Sequence, residues 1–163
     1  MNLVILGCGG YGRTIADIAG QLNKYEQIVF LDDTTNQPCT DYVDYPEDDI
    51  YPAFGNNEVR LRWITRLVEE GFHIPILIHP TAYVSPTSKI GTGTVVLPKA
   101  VVNTDVIVEK GCIINLGALI DHGCVIEEGC HICLGTIVKA ENRISSLTKV
   151  EAGEVIEART FPV

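Results

Sequence analysis

A six-residue repeat governs the second half of this chain. Every sixth residue from Ile78 to Ile156 is isoleucine or valine, without interruption. This period fits neither the 3.6-residue turn of a helix nor the two-residue alternation of an ordinary strand. A β-branched residue at a fixed place in each hexad is typical of a parallel β-helix, in which one hexad forms one side of a coil. Three hexads complete a triangular coil, so the repeat predicts about four coils.

The residues around the fixed positions agree with this interpretation. Two places before them the residue is mostly small, as a crowded coil interior requires. Cys112, Cys124 and Cys130 take this place, so we predict that they pack in the interior. Glycines recur between hexads, where corners need positive φ. The repeat weakens near its end, since Ser-Ser-Leu at 145–147 replaces the usual glycine and Glu154 replaces a small residue.

The first part of the chain has the pattern of a Rossmann-like α/β domain. An apolar strand, Asn2–Leu6, is followed by the glycine-rich GCGGYGR and by an amphipathic stretch, Thr14–Leu22. The next strand, Gln27–Leu31, ends at Asp32 and Asp33. In such units the N–H groups at the helix start hold a phosphate, and the acid faces the nucleotide's ribose or base. A tight turn without any ligand is the alternative.

Three further elements complete this predicted domain. We expect a short strand over Ile50–Phe54, a helix over Glu58–Glu70 and a fourth strand over Ile74–Ile78. The arginines of the helix, Arg60, Arg62 and Arg66, are predicted to face solvent. A sheet of about four parallel strands suits a mononucleotide better than a dinucleotide. We therefore divide the chain into a nucleotide-binding domain, residues 1–76, and a β-helix domain, residues 77–163.

The charge of the chain limits its partners. The net charge is −9, and residues 1–50 contribute −7 of it, with nine acids and two bases. This argues against nucleic acid and anionic membranes as partners. No apolar run approaches the length of a membrane span, and the N-terminus lacks the basic region of a signal peptide. We predict a cytoplasmic protein, and in such a chain six cysteines do not imply disulfides.

Two of the four histidines are candidates for catalysis. His73 and His79 lie near the domain junction and are predicted to be structural, whereas His122 and His131 lie within the repeats. Nine residues separate this pair, which is half a coil, so within one prism they belong to different sides. They can meet only across a contact between neighbouring subunits. This geometry predicts a trimer of parallel prisms with its active sites between subunits.

The chemistry of such a pair favours acyl transfer. An imidazole can take a proton from an amine or hydroxyl while that group attacks an acyl carbonyl. Asp121 is not expected to orient the ring of His122, because adjacent side chains of an extended chain point in opposite directions. No serine or cysteine nucleophile is indicated, so we favour direct transfer. Metal binding by the histidines is the alternative, but the repeats contain no third histidine, and Cys130 with Cys133 lacks a second cysteine pair.

Six motifs in order, from about residue 3 to about residue 138, resemble a known family. They are GCGGYGR, FLDD, FGNNEVR, IHPTAYVSP, NLGALIDHGC and GCHICLG. Together they are similar to the bacterial sugar acetyltransferases with hexapeptide repeats, including UDP-4-amino-sugar N-acetyltransferases and sialic acid O-acetyltransferase-like proteins. The resemblance implies a Rossmann-like domain that binds a UDP-sugar and a trimeric left-handed β-helix that binds acetyl-CoA as co-substrate. It implies no metal.

The resemblance also assigns roles to individual residues. The residues implied to bind the nucleotide sugar are Gly9, Gly10, Tyr11, Asp32, Asp33 and Gly55. His122 corresponds to the general base that deprotonates the sugar amine or hydroxyl. His131 corresponds to the residue that contacts the acyl-CoA thioester from the neighbouring subunit.

The chain departs from the family in three places. Tyr11 stands where a histidine is common, and Gly123 follows the base where an acid is usual. Family members also continue for another coil or two, which line the rest of the CoA channel. The missing coils and Gly123 motivate an alternative hypothesis, in which the protein is a non-catalytic trimeric scaffold that binds a nucleotide sugar but has a truncated CoA channel; the intact pair of His122 and His131 argues against it.

Overall fold

The computed structural model describes residues 1–163 as two compact units, Met1–Pro75 and Ile76–Val163. The first unit contains, in chain order, β1 (Leu3–Leu6), α1 (Gly10–Gln21), β2 (Ile28–Leu31), a 3₁₀ helix (Cys39–Asp44), β3 (Asp49–Pro52) and α2 (Asn57–Glu69). No helix in either unit is both long enough and apolar enough to cross a membrane.

The first unit is built on a parallel sheet with the strand order β2-β1-β3. The central strand β1 has no polar residue and is fully buried, as expected for a parallel strand covered on both faces. Helix α2 begins where the Asn56 side chain accepts a hydrogen bond from the N–H of Val59 (2.9 Å). It ends before Gly71, whose positive φ of 88° lets the chain leave the helix.

The predicted fourth strand of this sheet is wrong. The sheet has three strands, and residues 74–76 form no strand. Leu77–Ile78 instead begins the second unit, where it pairs with Val95–Val96. Pro75 explains the difference, because proline has no N–H to donate in the middle of a strand.

The predicted exposure of Arg60 is also wrong. Arg62 and Arg66 are exposed, but Arg60 is fully buried in the first unit. Its guanidinium group turns toward the segment that precedes α2 and donates hydrogen bonds to that segment. The charge of Arg60 is thus satisfied inside the unit, by acceptors that the sequence pattern does not reveal.

The second unit consists of fourteen strands of two residues, each ending at a fixed Ile or Val of the hexad repeat. In chain order they are β4 (Leu77–Ile78), β5 (Tyr83–Val84), β6 (Lys89–Ile90), β7 (Val95–Val96), β8 (Val101–Val102), β9 (Ile107–Val108), β10 (Ile113–Ile114), β11 (Leu119–Ile120), β12 (Val125–Ile126), β13 (His131–Ile132), β14 (Ile137–Val138), β15 (Arg143–Ile144), β16 (Lys149–Val150) and β17 (Val155–Ile156).

These strands stack into three parallel sheets that form the faces of a prism. Face 1 contains β4, β7, β10, β13 and β16; face 2 contains β5, β8, β11, β14 and β17; face 3 contains β6, β9, β12 and β15. Paired residues are 18 apart, as in Ile113 with His131. The predicted left-handed parallel β-helix of about four coils is confirmed.

The coil interior is apolar and tightly filled. The three cysteines predicted to pack there have no exposed surface. Each thiol donates to a backbone carbonyl 15 residues later, at 3.1 Å for Cys112, 3.2 Å for Cys124 and 3.1 Å for Cys130. The weakened repeat near the end keeps its register, because Leu147 adopts a positive φ of 62° in place of a glycine. Glu154, at an interior position in the sequence pattern, is exposed.

Candidate active site

The glycine turn lies where β1 ends, at the carboxyl edge of the parallel sheet. Gly9 caps α1 without a side-chain hydrogen bond, and both Gly9 and Gly10 are exposed, with no heavy atom near the place of a side chain. Gly12 is required for the turn, since a Cβ there would come within 2.0 Å of the carbonyl oxygen of Gly7. The backbone at Gly9 and Gly10 is therefore accessible at the start of α1, a position that suits an anion.

The two aspartates at the end of β2 lie at the same edge but hold the backbone. Asp32 accepts hydrogen bonds from the N–H of Cys8 (2.8 Å) and from the hydroxyl of Thr34 (2.6 Å). These bonds, that from the Thr34 side chain above all, hold the pKa of the Asp32 carboxyl far below its ordinary value. Asp33 accepts from the N–H of Cys39 (2.8 Å) and remains exposed. Asp32 thus stays ionised and fixes the glycine turn.

The remaining predicted substrate-binding residues are Tyr11, in the first turn of α1, and Gly55, in the loop after β3. The hydroxyl of Tyr11 is 3.1 Å from that of Tyr51, which is buried in β3, so the Tyr11 ring has a defined position. Gly55 follows β3 and is exposed, with open space where a side chain would stand. All six residues therefore lie in the segments that follow the carboxyl ends of β1, β2 and β3, with Gly10 and Tyr11 in the first turn of α1. This is the edge at which open α/β sheets bind ligands.

His122 lies at the corner of the prism between β11 on face 2 and β12 on face 3. It is exposed, and its ring forms no hydrogen bond within the chain. Asp121 does not orient this ring; its carboxylate accepts from the backbone N–H of His122 (2.7 Å) and from the amide of Asn103 (3.0 Å). The first of these bonds is the main reason why the pKa of Asp121 is lowered. Asp121 therefore fixes the corner backbone and leaves the imidazole open.

His131 is half-buried in β13, on face 1, and its ring is oriented by a residue that the sequence interpretation missed. Asn115 accepts from the N–H of Leu116 through Oδ1 (2.8 Å), so its Nδ2 faces Nε2 of His131 (2.9 Å). Because Nδ2 can only donate, Nε2 accepts, and the neutral ring carries its proton on Nδ1. The 18-residue period was the available signal, since it puts residues 113–115 and 131–133 side by side.

The cysteines of the second unit are poorly suited to nucleophilic catalysis. Cys133 and Cys124 are both buried, and burial raises the pKa of each thiol. A protonated thiol is a weak nucleophile. Nor does the chain contain a group of three or more His, Cys, Asp or Glu side chains that could hold a metal ion.

The fold matches known proteins over most of the chain. Residues 2–67 match the family model for the PglD N-terminal domain. The acetyltransferase domain of PglB from Neisseria gonorrhoeae FA1090 is 36% identical, with a TM-score of 0.89, and the match covers 94% of this chain and 81% of that one. This chain belongs to the bacterial sugar acetyltransferases with hexapeptide repeats. The family inferred from the sequence motifs is thereby confirmed.

Two other similar structures contain bound ligands. The same Neisseria domain has also been solved in complex with acetyl coenzyme A, again at 36% identity and a TM-score of 0.89, covering 94% of this chain and 80% of that one. Perosamine N-acetyltransferase from Caulobacter crescentus, solved with CoA and GDP-perosamine, has a TM-score of 0.80 at 22% identity, over 99% of this chain and 91% of that one. At that identity the likeness shows the fold alone.

Proposed function

We propose that this sugar acetyltransferase transfers the acetyl group of acetyl-CoA to the amino group of a UDP-linked amino sugar, in bacterial glycan biosynthesis. The first unit binds the nucleotide sugar and the second carries out acyl transfer. The Neisseria acetyltransferase domain, which shares 36% of its sequence with this chain and has been solved with acetyl coenzyme A, supports the co-substrate. A hydroxyl of the sugar is the other possible acceptor, and a cytoplasmic location stays a prediction.

The loops at the carboxyl edge of the first sheet support nucleotide-sugar binding. The open N–H groups at Gly9 and Gly10 suit the diphosphate. Tyr11 and Gly55 flank this position, and Asp33 is the exposed acid at the end of β2. Asp32 acts mainly by holding the turn, since both of its oxygens accept hydrogen bonds from the protein.

The single observation that carries the proposed mechanism is the state of the two imidazoles. His122 is exposed with a ring that forms no hydrogen bond in the chain, so it can accept a proton from the sugar amine as the nitrogen attacks the thioester carbonyl. His131 presents a donor at Nδ1, which suits the carbonyl oxygen as it gains negative charge. Collapse of the tetrahedral intermediate breaks the C–S bond, and the proton on His122 passes to the departing CoA thiolate.

Face 2 supports the predicted homotrimer. Its outward residues form an apolar column made of Tyr83, Val101, Leu119, Ile137 and Val155. Three of these side chains are 41–52% exposed in the single chain, and Val101, Leu119 and Ile137 line a groove of about 280 Å³. Face 3 instead has Lys89 and Arg143 at the ends of the equivalent column. Burying the apolar column between copies would bring the His122 corner of one chain to a neighbour.

A thioester-release assay tests this function. Wild-type protein with acetyl-CoA is screened against a panel of UDP-amino sugars, and His122→Ala should lower the rate with the best acceptor by about 10²- to 10⁴-fold. Calorimetry with UDP and with CoA should show unchanged binding in the variant. An unchanged rate in the variant would remove His122 as the base. Binding of UDP-sugar without any binding of acetyl-CoA would favour the non-catalytic scaffold.

A further inference from the structure

The buried Arg60 has an unusual set of partners. One nitrogen of its guanidinium donates to the carbonyl oxygens of Phe54 (3.0 Å) and Gly55 (3.4 Å), and the other donates to the side-chain oxygen of Asn57 (2.8 Å). The two carbonyls belong to the loop between β3 and α2, which contains Gly55 of the proposed substrate site, and Asn57 is the first residue of α2. Arg60 has no exposed surface, so these contacts are made entirely inside the unit.

The contacts of Arg60 also determine the direction of two backbone N–H groups, those of Gly55 and Asn56. In a trans peptide the carbonyl and the following N–H point in opposite directions. Because the carbonyls of Phe54 and Gly55 turn inward to Arg60, the N–H groups of Gly55 and Asn56 turn away from it. Both residues are exposed, and neither N–H donates to any group of the chain. Two oriented backbone donors therefore face open space beside the start of α2.

This loop lies directly against the glycine turn. A Cβ on Gly7 would stand 3.2 Å from the carbonyl oxygen of Ala53 and 3.7 Å from the ring of Phe54. The N–H of Ala53 also donates to the carbonyl oxygen of Leu6 (2.8 Å), where β1 ends. The donors held by Arg60 and those at the start of α1 thus lie on neighbouring loops of one edge.

We propose that Arg60 is a positioning residue for the nucleotide sugar: it fixes the loop between β3 and α2 so that the N–H groups of Gly55 and Asn56 bind the anionic part of the substrate. This inference rests on the proposed function, in which that edge holds a nucleotide diphosphate. A guanidinium is required, because its planar fork can hold two backbone carbonyls and a side chain at fixed angles, whereas an ammonium group cannot.

The test compares Arg60→Lys with Arg66→Lys. Arg66 lies on the same helix but is exposed, and it pairs with Glu70 (2.9 Å), so its replacement is the matched control. With the acceptor found in the assay above, Arg60→Lys should raise the KM for the nucleotide sugar at least about tenfold, with kcat and the KM for acetyl-CoA within about twofold of wild type. Arg66→Lys should change none of them.

Calorimetry with UDP separates this inference from the proposed function. If wild-type protein binds UDP and Arg60→Lys binds it equally well, the role of Arg60 is overturned. If wild-type protein binds no nucleotide, the proposed substrate class itself fails. Should Arg60→Lys not fold, as judged by circular dichroism, Asn57→Ala removes one of the three acceptors and must still weaken UDP binding; unchanged binding in that variant overturns the proposal.

Discussion

Asn115 shows how one amide can fix the tautomer of an imidazole, that of His131, which is proposed to bind the acyl-CoA thioester. The hydrogen bond from Leu116 fixes which end of the amide faces His131, and this in turn fixes the ring proton on Nδ1. A neutral histidine held in this way is a hydrogen-bond donor at one defined atom. It therefore suits stabilisation of the carbonyl oxygen, while His122, with its open ring, suits proton transfer.

Asn115→Leu tests this tautomer. The substitution keeps the size of the side chain but removes the donor to Nε2, so the ring proton is no longer confined to Nδ1. We expect the ¹⁵N shifts of the His131 ring to report the Nδ1–H form in wild type and mainly the Nε2–H form in the variant. The kcat for acetyl transfer should fall about tenfold or more. Signals are assigned with His131→Gln, and an Nε2–H ring in wild-type protein contradicts the assignment.

At the scale of elements, β3 begins with a buried carboxylate. Asp49 accepts hydrogen bonds from Lys24 (2.8 Å), Tyr25 (2.8 Å) and His73 (2.6 Å), and its side chain is only 2% exposed. Burial by itself raises the pKa of Asp49, but the three hydrogen bonds outweigh it and lower that pKa below its ordinary value. The ionised group thus ties β3 to the segments after α1 and after α2.

The lowered pKa of Asp49 predicts how stability depends on pH. A carboxyl group with a lower pKa in the folded state stabilises the fold fully above its unfolded pKa of about 4, and this contribution is lost as the pH falls through the folded pKa. Asp49→Asn should cost about 3 kcal/mol of unfolding free energy at pH 7, and the difference from wild type should shrink below about pH 4.

Urea unfolding followed by fluorescence measures this effect in the right unit, because the only tryptophan, Trp63, lies in α2. Asp44→Asn is the control, since Asp44 is exposed at the end of the 3₁₀ helix that precedes β3. A difference between Asp49→Asn and wild type that stays constant from pH 7 to pH 3 would show that the carboxylate charge is not what stabilises β3.

The elements that the sequence predicted well are those fixed by local repetition. Each hexad places its Ile or Val at the end of a strand, because only that phase puts the branched side chain inside the coil. The roles of Arg60 and Asn115 were not predicted, because they depend on partners that only the tertiary structure brings near. Arg60 donates to a loop carbonyl, and Asn115 donates to a ring on the next coil. The strand predicted over Ile74–Ile78 failed because its apolar run contains a proline and its last two residues pair elsewhere.

For the whole molecule, we propose that each active site is shared between two chains. Within one chain His122 lies at the corner between faces 2 and 3, whereas His131 lies on face 1. In the proposed trimer the apolar column of face 2 would be buried between copies, and closed rotational symmetry would repeat one such contact three times. If the base and the thioester-binding residue of each site come from different subunits, two inactive variants should restore activity to each other.

Mixing His122→Ala and His131→Ala chains tests this directly. Each variant alone should retain about 1% of wild-type activity or less. When equal amounts of the two variants form trimers at random, one chain of a site has an intact His122 with a probability of about one half, and its neighbour has an intact His131 with the same probability. About a quarter of the sites are then intact, so activity should reach about a quarter of wild type.

Adding Leu119→Arg to both variants places a charge in the apolar column and should abolish the recovery. Adding Ile107→Arg, at an exposed residue of face 3, should not. Because random mixing can rebuild an intact site only between chains, recovery that remains near 1% would place both histidines of each site in the same chain.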